Sequence, residues 1–187
     1  GWWVYCSNGY SSDSKHYPIY YSTSRSVLFN DKAKDCTVNI TGNKTVKAAN
    51  MTIDNTRQYV FNRRGSTLLQ VANLTKKNSG KAIFNNPKVK FGNMTVNGGL
   101  LHAKGTGTFQ GNSIAVSSAG RLQFINKQTI TLGSHITVSS GGNFMADSSG
   151  ALFTTLKLKS GKALRIGKGA TFTLTLDSGN LTRPVIS

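Results

Sequence analysis

The sequence predicts an all-β solenoid, in which short parallel strands stack turn upon turn. Four segments share an apolar–polar–apolar opening, a turn of small residues and a second alternation, and they open at Met94, Ile114, Ile136 and Leu156. These openings lie 20, 22 and 20 residues apart, and a fixed period near 20 with strand chemistry inside it is typical of solenoids. With 20 Gly and with Asp as its only acidic residue type, the composition also disfavours helices.

The alternation inside each repeat predicts which side chains point inward. The repeat extends backward through Met51 and Leu74, which lie 43 and 20 residues before Met94. Small residues predict corners at Gly98-Gly99, Gly141-Gly142 and Ser160-Gly161. The expected inward residues are Met94, Val96, Ile114, Val116, Ile136, Val138, Leu156 and Leu158, and the expected outward ones are Thr95, Ala115, Thr137 and Lys157.

Two domains are predicted. Residues 38–187 would form a parallel β-helix of roughly seven turns, at about 21 residues per turn. Residues 1–37 contain both Trp, both Cys and five of the six Tyr, and they would form a cap over the first open sheet edge. An aromatic binding platform is the alternative for this segment. A β-sandwich also has short strands with frequent turns, but the recurrence of like segments favours the solenoid.

The two cysteines, Cys6 and Cys36, both lie in the predicted cap. In an exported chain they would form one disulfide, which would constrain the unfolded chain by roughly 3–4 kcal/mol. Two unpaired buried thiols are the alternative. No apolar run approaches the ~18 residues of a transmembrane helix, and no signal peptide opens the chain. We therefore expect a mature piece of a longer exported protein rather than a cytosolic one.

The chain is strongly basic. Its net charge is +17, and no acidic residue occurs between Asp54 and Asp147. Such a charge attracts polyanions: nucleic acid, anionic lipid or sulfated and sialylated glycans. Because aromatic residues do not alternate with the basic ones, an anionic glycan is preferred over nucleic acid; a merely solvated basic face is the alternative. The candidate polyanion-binding residues are Arg57, Arg63, Arg64, Lys76, Lys77, Lys81, Lys88, Lys90, Lys157, Lys159, Lys162, Arg165 and Lys168.

No constellation indicates catalysis. Enzymes with this architecture usually need clustered carboxylates, and the coil has only three, far apart in sequence: Asp54, Asp147 and Asp177. His102 and His135 are expected to be solvent-facing strand residues. The glycine-rich stretch 105–111 lacks the lysine and helix of a phosphate loop. We expect no enzyme activity, no cofactor and no metal site.

Six Asn-X-Thr sequons occur along the chain. They have two explanations: asparagine at corners followed by threonine on strands, or acceptors for N-linked glycans in an exported protein. The candidate glycosylation sites are Asn39, Asn43, Asn50, Asn73, Asn93 and Asn180.

Three stretches, 114–120, 136–142 and 164–174, resemble the passenger regions of bacterial autotransporters and two-partner-secreted adhesins. The Asn- and Lys-rich composition is similar to that of vacuolating-cytotoxin-like autotransporters. The resemblance covers about 38–187. It departs from the family in the strongly basic charge and in having no membrane barrel in this chain. It implies a right-handed parallel β-helix, secreted or displayed at the bacterial outer membrane.

The function expected from the resemblance is a non-catalytic adhesin or virulence-factor passenger. Its partners would be a host cell-surface receptor or anionic glycan and the remainder of its own chain, with no nucleic acid and no membrane span in this segment. A vacuolating-toxin-like passenger and a passive structural stalk are the alternatives.

Overall fold

A computed structural model describes residues 26–32, 36–125, 128–147, 155–158, 164–169 and 171–175. These residues form strands that wind into a parallel β-solenoid, and every strand pair among them is parallel. This pairing excludes a β-sandwich of antiparallel sheets. The strands are β1 Val27–Asn30, β2 Cys36–Ile40, β3 Thr45–Asp54, β4 Gln58–Arg63, β5 Leu68–Lys77, β6 Lys81–Asn85, β7 Lys88–Val96, β8 Gly99–Lys104, β9 Gly107–Gly111, β10 Ser113–Val116, β11 Gly120–Ile125, β12 Gln128–Leu132, β13 Ile136–Val138, β14 Asn143–Asp147, β15 Thr155–Leu158, β16 Leu164–Ile166 and β17 Thr171–Thr175.

The solenoid has three faces. Face A is a seven-stranded sheet in the order β17-β14-β11-β8-β6-β4-β2. The second sheet divides at β7, because β9 pairs with its first half and β10 with its second half. The branch through β9, β12 and β15, with the first halves of β3, β5 and β7, is face B. The branch through β10, β13 and β16, with β1 and the second halves of the long strands, is face C.

Each long strand changes its alternation in the middle. In β5 the burial pattern breaks at Ala72 and Asn73, which are both exposed. Ala49 on β3 and Gly92 on β7 occupy the equivalent positions, and neither is paired with Ala72, although the residues on both sides of them are paired. A Cβ on Gly92 would lie 2.5 Å from the Ala72 carbonyl oxygen, so this corner needs a small residue. Here a continuous strand passes from face B to face C.

The predicted repeat is confirmed for four of its five steps. Met51, Leu74, Met94, Ile114 and Ile136 are successive register partners on face C, and they are 4% exposed or less. As predicted, Val96, Val116 and Val138 also point inward, while Ala115 and Thr137 are exposed and Thr95 is partly exposed.

The prediction for the last step of the repeat, from Ile136 to Leu156, was wrong. Leu164, not Leu156, pairs with Ile136 on face C, whereas Leu156 pairs with Ile130 on face B. The stretch from Leu156 to Leu158 has the alternation that either face requires, so pattern alone could not separate them. The corrected step from Ile136 to Leu164 is 28 residues long. The side chains of Leu156, Lys157 and Leu158 lie outside the described residues.

Aromatic rings form a buried stack along the interior. Phe61 and Phe84 on face A are stacked with centroids 4.6 Å apart. Phe109, on face B, makes edge contacts with Phe84 at 6.3 Å, with Phe91 at 6.5 Å and with Phe124 at 5.2 Å. Each ring buries a large apolar area, so the stack joins successive turns on faces A and B into one core.

Several predictions fall on residues outside the described ones. Cys36 begins β2, but Cys6 lies outside, so the disulfide stays a prediction, as does the cap at residues 1–37; β1, in the last part of that segment, already pairs with β3. The right-handed sense also stays a prediction. At two of the predicted corners a glycine has positive φ, Gly99 (62°) and Gly141 (78°), while Ser160 and Gly161 lie outside the described residues. In the described part of the chain, no helix is long and apolar enough to cross a membrane.

Candidate polyanion-binding surface

Face B presents two columns of outward side chains. Register places Lys47, Gln70, Lys90, Gln110 and Thr131 in one column. The other column contains Thr45, Leu68, Lys88, Thr108 and Thr129. Alternation puts these residues opposite the buried Val46, Leu69, Val89, Phe109 and Ile130.

Three lysines on this surface, Lys47, Lys88 and Lys90, are here called the face B lysines; all three are exposed. Lys88 and Lys90 lie on one strand, with Cα atoms about 6.6 Å apart. Lys47 lies two strands away from Lys90 in the same column, at about 9–10 Å. No outward residue in the described part of this face is acidic, so the lysines have no carboxylate competing with an external anion.

Apart from Lys157, the remaining predicted cations among the described residues lie outside face B. Lys81 lies on face A, and Lys77 lies on face C beside its register partner Asp54. Arg165 is an exposed residue of face C, in register with Thr137. Lys168 is exposed in the turn that follows β16. Lys157 is in register with Thr131 on face B, but its side chain, like residues Lys159 and Lys162, lies outside the described residues.

Three of the predicted arginines, Arg57, Arg63 and Arg64, lie at the edges of face A. The Arg63 guanidinium donates from Nε to the Asn86 carbonyl and from Nη1 to the Gly65 carbonyl, both at 2.5 Å. Arg64 follows it and is exposed. Arg57 lies in the turn after β3, where its backbone N–H donates to the Asp31 carboxylate at 3.4 Å. Arg63 therefore braces a corner, and its guanidinium is only partly available to an external anion.

Lys76 corrects the prediction for that position. It is fully buried, in an inward column between Ile53 and Val96. Its ammonium group donates to the carbonyl oxygens of Lys77, of Asn78 at 2.8 Å and of Gly98 at 3.4 Å. Burial lowers the pKa of Lys76 to about 8, against the opposing attraction of Asp54 and Asp31. The ammonium is used inside the fold and is not presented to a ligand.

Three of the sequon asparagines form a ladder at the corner between faces B and C. The Asn73 amide donates to Asn50 Oδ1 at 2.9 Å, and the Asn93 amide donates to Asn73 Oδ1 at 3.4 Å. The Asn50 amide donates onward to Ser26 Oγ at 2.9 Å. These bonds supply a structural reason for the recurring Asn-X-Thr pattern. Whether sugar is attached at Asn39, Asn43, Asn50, Asn73, Asn93 or Asn180 stays a prediction.

The described carboxylates belong to separate local networks. Asp31 accepts hydrogen bonds from the Thr56 N–H at 2.9 Å and from the Thr56 hydroxyl at 2.9 Å, and the backbone bond is the main cause that lowers the pKa of Asp31. Asp54 accepts a bond from the Asn78 amide at 2.5 Å. Among the described residues, no three His, Cys, Asp or Glu lie close enough to hold a metal ion.

His102 differs from expectation in one respect. It lies on the outward side of face A, between the inward Leu101 and Ala103, but it is only 7% exposed. His135 is partly buried before β13. The outward side of face A is therefore more closely packed around β8 than a solvated strand would be.

Sequence reasoning missed several exposed cations, and three of them, Lys47, Lys104 and Arg121, belong to a group on face A or face B. Lys47 stands alone between Val46 and Ala48, and Lys104 and Arg121 are isolated in the same way. Each becomes part of a group only because stacking places distant turns side by side. A register derived from the Ala49, Ala72 and Gly92 corners would have brought Lys47 into line with Lys90, since these lie two residues before their corners.

The chain was compared with known proteins in three ways. No family model, no curated protein and no solved structure matches it.

Proposed function

We propose that this chain is a non-catalytic adhesin passenger, secreted or displayed on a bacterial surface, whose face B binds anionic glycans on host cells or matrix. The observation that carries the proposal is the group of three exposed face B lysines on an outward surface whose described positions include no acidic residue. The parallel β-solenoid supports the proposal as the architecture that the sequence resemblance implies.

The geometry suits a linear, repeatedly charged ligand. Parallel strands set adjacent rows about 4.8 Å apart, and alternate residues along a strand are about 6.6 Å apart. The lysines therefore form a fixed grid rather than a mobile tail. Gln70, Gln110 and Thr108 lie in the same columns and supply amide and hydroxyl groups that can hydrogen-bond to sugar hydroxyls.

A glycan is favoured over nucleic acid because the described outward positions of this face hold no aromatic side chain on which a base could stack. Single-stranded nucleic acids are usually held by aromatic side chains interleaved with the charges. The aromatic residues of face B, Phe91 and Phe109, point inward and are buried. The described outward positions of this face hold only lysine, glutamine, threonine and Leu68.

The proposal that the chain is not an enzyme is supported by the separation of its carboxylates. Asp31 is engaged by Thr56 and Arg57, and Asp54 by Asn78. Neither carboxylate faces another across a groove in the described structure. The alternatives are a vacuolating-toxin-like passenger and a passive stalk, and the stalk is the alternative that the binding experiment below separates from an adhesin.

The experiment measures binding to immobilised sulfated, sialylated and neutral glycans at about 150 mM salt, where charges are screened over ~8 Å. The test variant is Lys88→Gln/Lys90→Gln. The matched control is Lys77→Gln/Arg165→Gln on face C, which removes the same number of charges from the +17 total. We expect the face B variant to lose about tenfold or more in affinity for acidic glycans, and the control to lose less than about threefold.

Equal losses in both variants would mean that binding follows net charge and not face B. Binding that is lost at 150 mM salt, or that ignores glycan identity, would favour the passive stalk. Adding Lys47→Gln to the face B variant should lower the affinity further, because Lys47 shares a column with Lys90.

A further inference from the structure

The outward side of face A contains a buried histidine nitrogen with no partner. His102 is 7% exposed, and its Nε2 atom is buried without a hydrogen bond. Buried polar atoms are nearly always hydrogen-bonded. An unpaired one next to a concentration of charge is therefore a candidate for contact with a ligand.

Three exposed cations surround this ring. Lys81 on β6 and Arg121 on β11 are both register partners of Leu100, which lies two residues before His102 on β8. Lys104 lies two residues after it, about 6.6 Å along the strand. All three side chains are exposed. None of them is on face B, so this group is separate from the face B lysines.

No acidic residue balances these charges from the strands that pair with β8. The outward residues of β6 are Lys81, Ile83 and Asn85, and those of β11 are Arg121, Gln123 and Ile125. The nearest acid in register is Asp147 on β14, which pairs with Ile125 and so lies two strands from Lys104 in the same column, at a Cα distance of about 9–10 Å. Burial, followed by the charges of Lys104 and Lys81, lowers the pKa of His102 to about 4, so the ring is neutral at pH 7.

We propose that face A has a second, discrete anion site, in which Lys81, Lys104 and Arg121 surround His102 and bind a single oxyanion of an acidic sugar, a sulfate ester or a carboxylate. The three cations supply charge-assisted donors to the oxyanion. The exposed lysine side chains turn toward the anion, and the imidazole takes up one proton from solvent and donates to it. This site is independent of the function proposed for face B.

The coupling between proton and anion gives the site a pH dependence. A bound anion favours imidazolium, which raises the pKa of His102 in the complex above that of the free protein. Between these two values, anion binding takes up a proton, so affinity rises by up to about tenfold for each unit that the pH falls. Below about pH 4 the free ring is already protonated, and the gain stops.

The test follows the His102 ring by NMR in the whole chain, with sulfate as the probe because its charge is constant across the titration. The His102 signal is assigned with the variant His102→Gln, which must remove one of the three histidine resonances. We expect a titration midpoint near 4 without sulfate and a midpoint at least one unit higher with saturating sulfate. Glucosamine 6-sulfate and sialic acid, run as separate arms, distinguish a sulfate ester from a carboxylate ligand.

Variants decide whether the cations form the site. Lys81→Gln/Lys104→Gln should abolish the sulfate-induced shift, while Lys88→Gln/Lys90→Gln on face B should leave it intact. A His102 midpoint that sulfate does not move would overturn the proposal, and so would a shift that persists in Lys81→Gln/Lys104→Gln. Loss of the shift in both double variants would reduce it to an effect of net charge and would also overturn the proposal.

Discussion

Faces B and C are made from the two halves of the same strands, β3, β5 and β7, yet they differ outside and inside. Face B presents Lys47, Lys88 and Lys90 and no acid at its described outward positions, whereas face C places Lys77 beside Asp54. Inside, face B contributes the rings of Phe91 and Phe109. Face C contributes aliphatic side chains and Phe29, interrupted by the buried Lys76.

This difference shows that the column, and not the strand, is the chemical unit of the fold. A column collects one residue from each turn, so its composition is set by residues some 20 positions apart in sequence. Two columns on one strand can therefore carry opposite properties. Substitutions in single columns can therefore be compared with one another.

The largest effect is expected in the inward aromatic column of face B. Phe109 is fully buried and contacts three other rings, so Phe109→Ala should lower the free energy of unfolding by about 3–5 kcal/mol. Urea denaturation would measure it. The control is Gln110→Ala, the outward neighbour on β9, which should stay within about 0.5 kcal/mol of the parent chain. A cost below about 1 kcal/mol for Phe109→Ala would contradict the stacked core.

A smaller effect is expected at Lys76, the buried polar residue in an inward column of face C. Lys76→Met leaves three carbonyl oxygens without their donor, which should cost about 1–3 kcal/mol at pH 7. Because the folded pKa of Lys76 is lowered to about 8 from 10.5, the unfolded chain binds more protons between these values. Lys76 therefore makes the stability rise as pH increases from about 8 to 10.5.

The pH dependence separates this role from simple packing. Denaturation across pH 8 to 10.5 should show the Lys76 contribution in the parent chain and in the control Lys77→Gln, and its loss in Lys76→Met. If Lys76→Met kept the same rise in stability with pH as the parent chain, the rise would not come from a buried Lys76 ammonium.

The smallest effect is expected at the corner where the two faces meet. Asn73 donates to Asn50 and accepts from Asn93, so Asn73→Ala removes two ladder bonds at an exposed position. The expected loss is about 0.5–1.5 kcal/mol, measured by the same denaturation. Gln70→Ala, an outward change on the face B half of the same strand, is the control. Equal losses from the two variants would show that the ladder adds nothing beyond an ordinary surface residue.

The sequence predicted the columns that repeat like with like. Met51, Leu74, Met94, Ile114 and Ile136 recur at short, similar intervals, and each begins the same alternation, so their stacking followed directly. The prediction for Leu156 failed because faces B and C require the same alternation of apolar and polar residues. Only the pairing of whole turns shows which face a strand joins.

The candidate site was harder to predict because each of its residues is isolated in the sequence and lies in no shared motif. Lys47 and Lys90 meet only through the register of three turns. Lys76 was predicted to bind polyanions, which requires an exposed side chain, although its distance of two residues from the inward Leu74 indicated the interior. Nothing in the sequence pattern indicates that His102 Nε2 is buried without a hydrogen-bond partner.

The stacking of parallel turns has a mechanical consequence. Backbone hydrogen bonds between parallel strands join each turn to the next. A load pulling along the axis meets backbone hydrogen bonds that lie along the direction of stretch, so turns detach one after another. The aligned positions Tyr59, Ala82, Leu101 and Leu122 lie 23, 19 and 21 residues apart, so each detached turn would lengthen the chain by about 60–80 Å. Under an axial load the coil would therefore extend stepwise, one turn at a time.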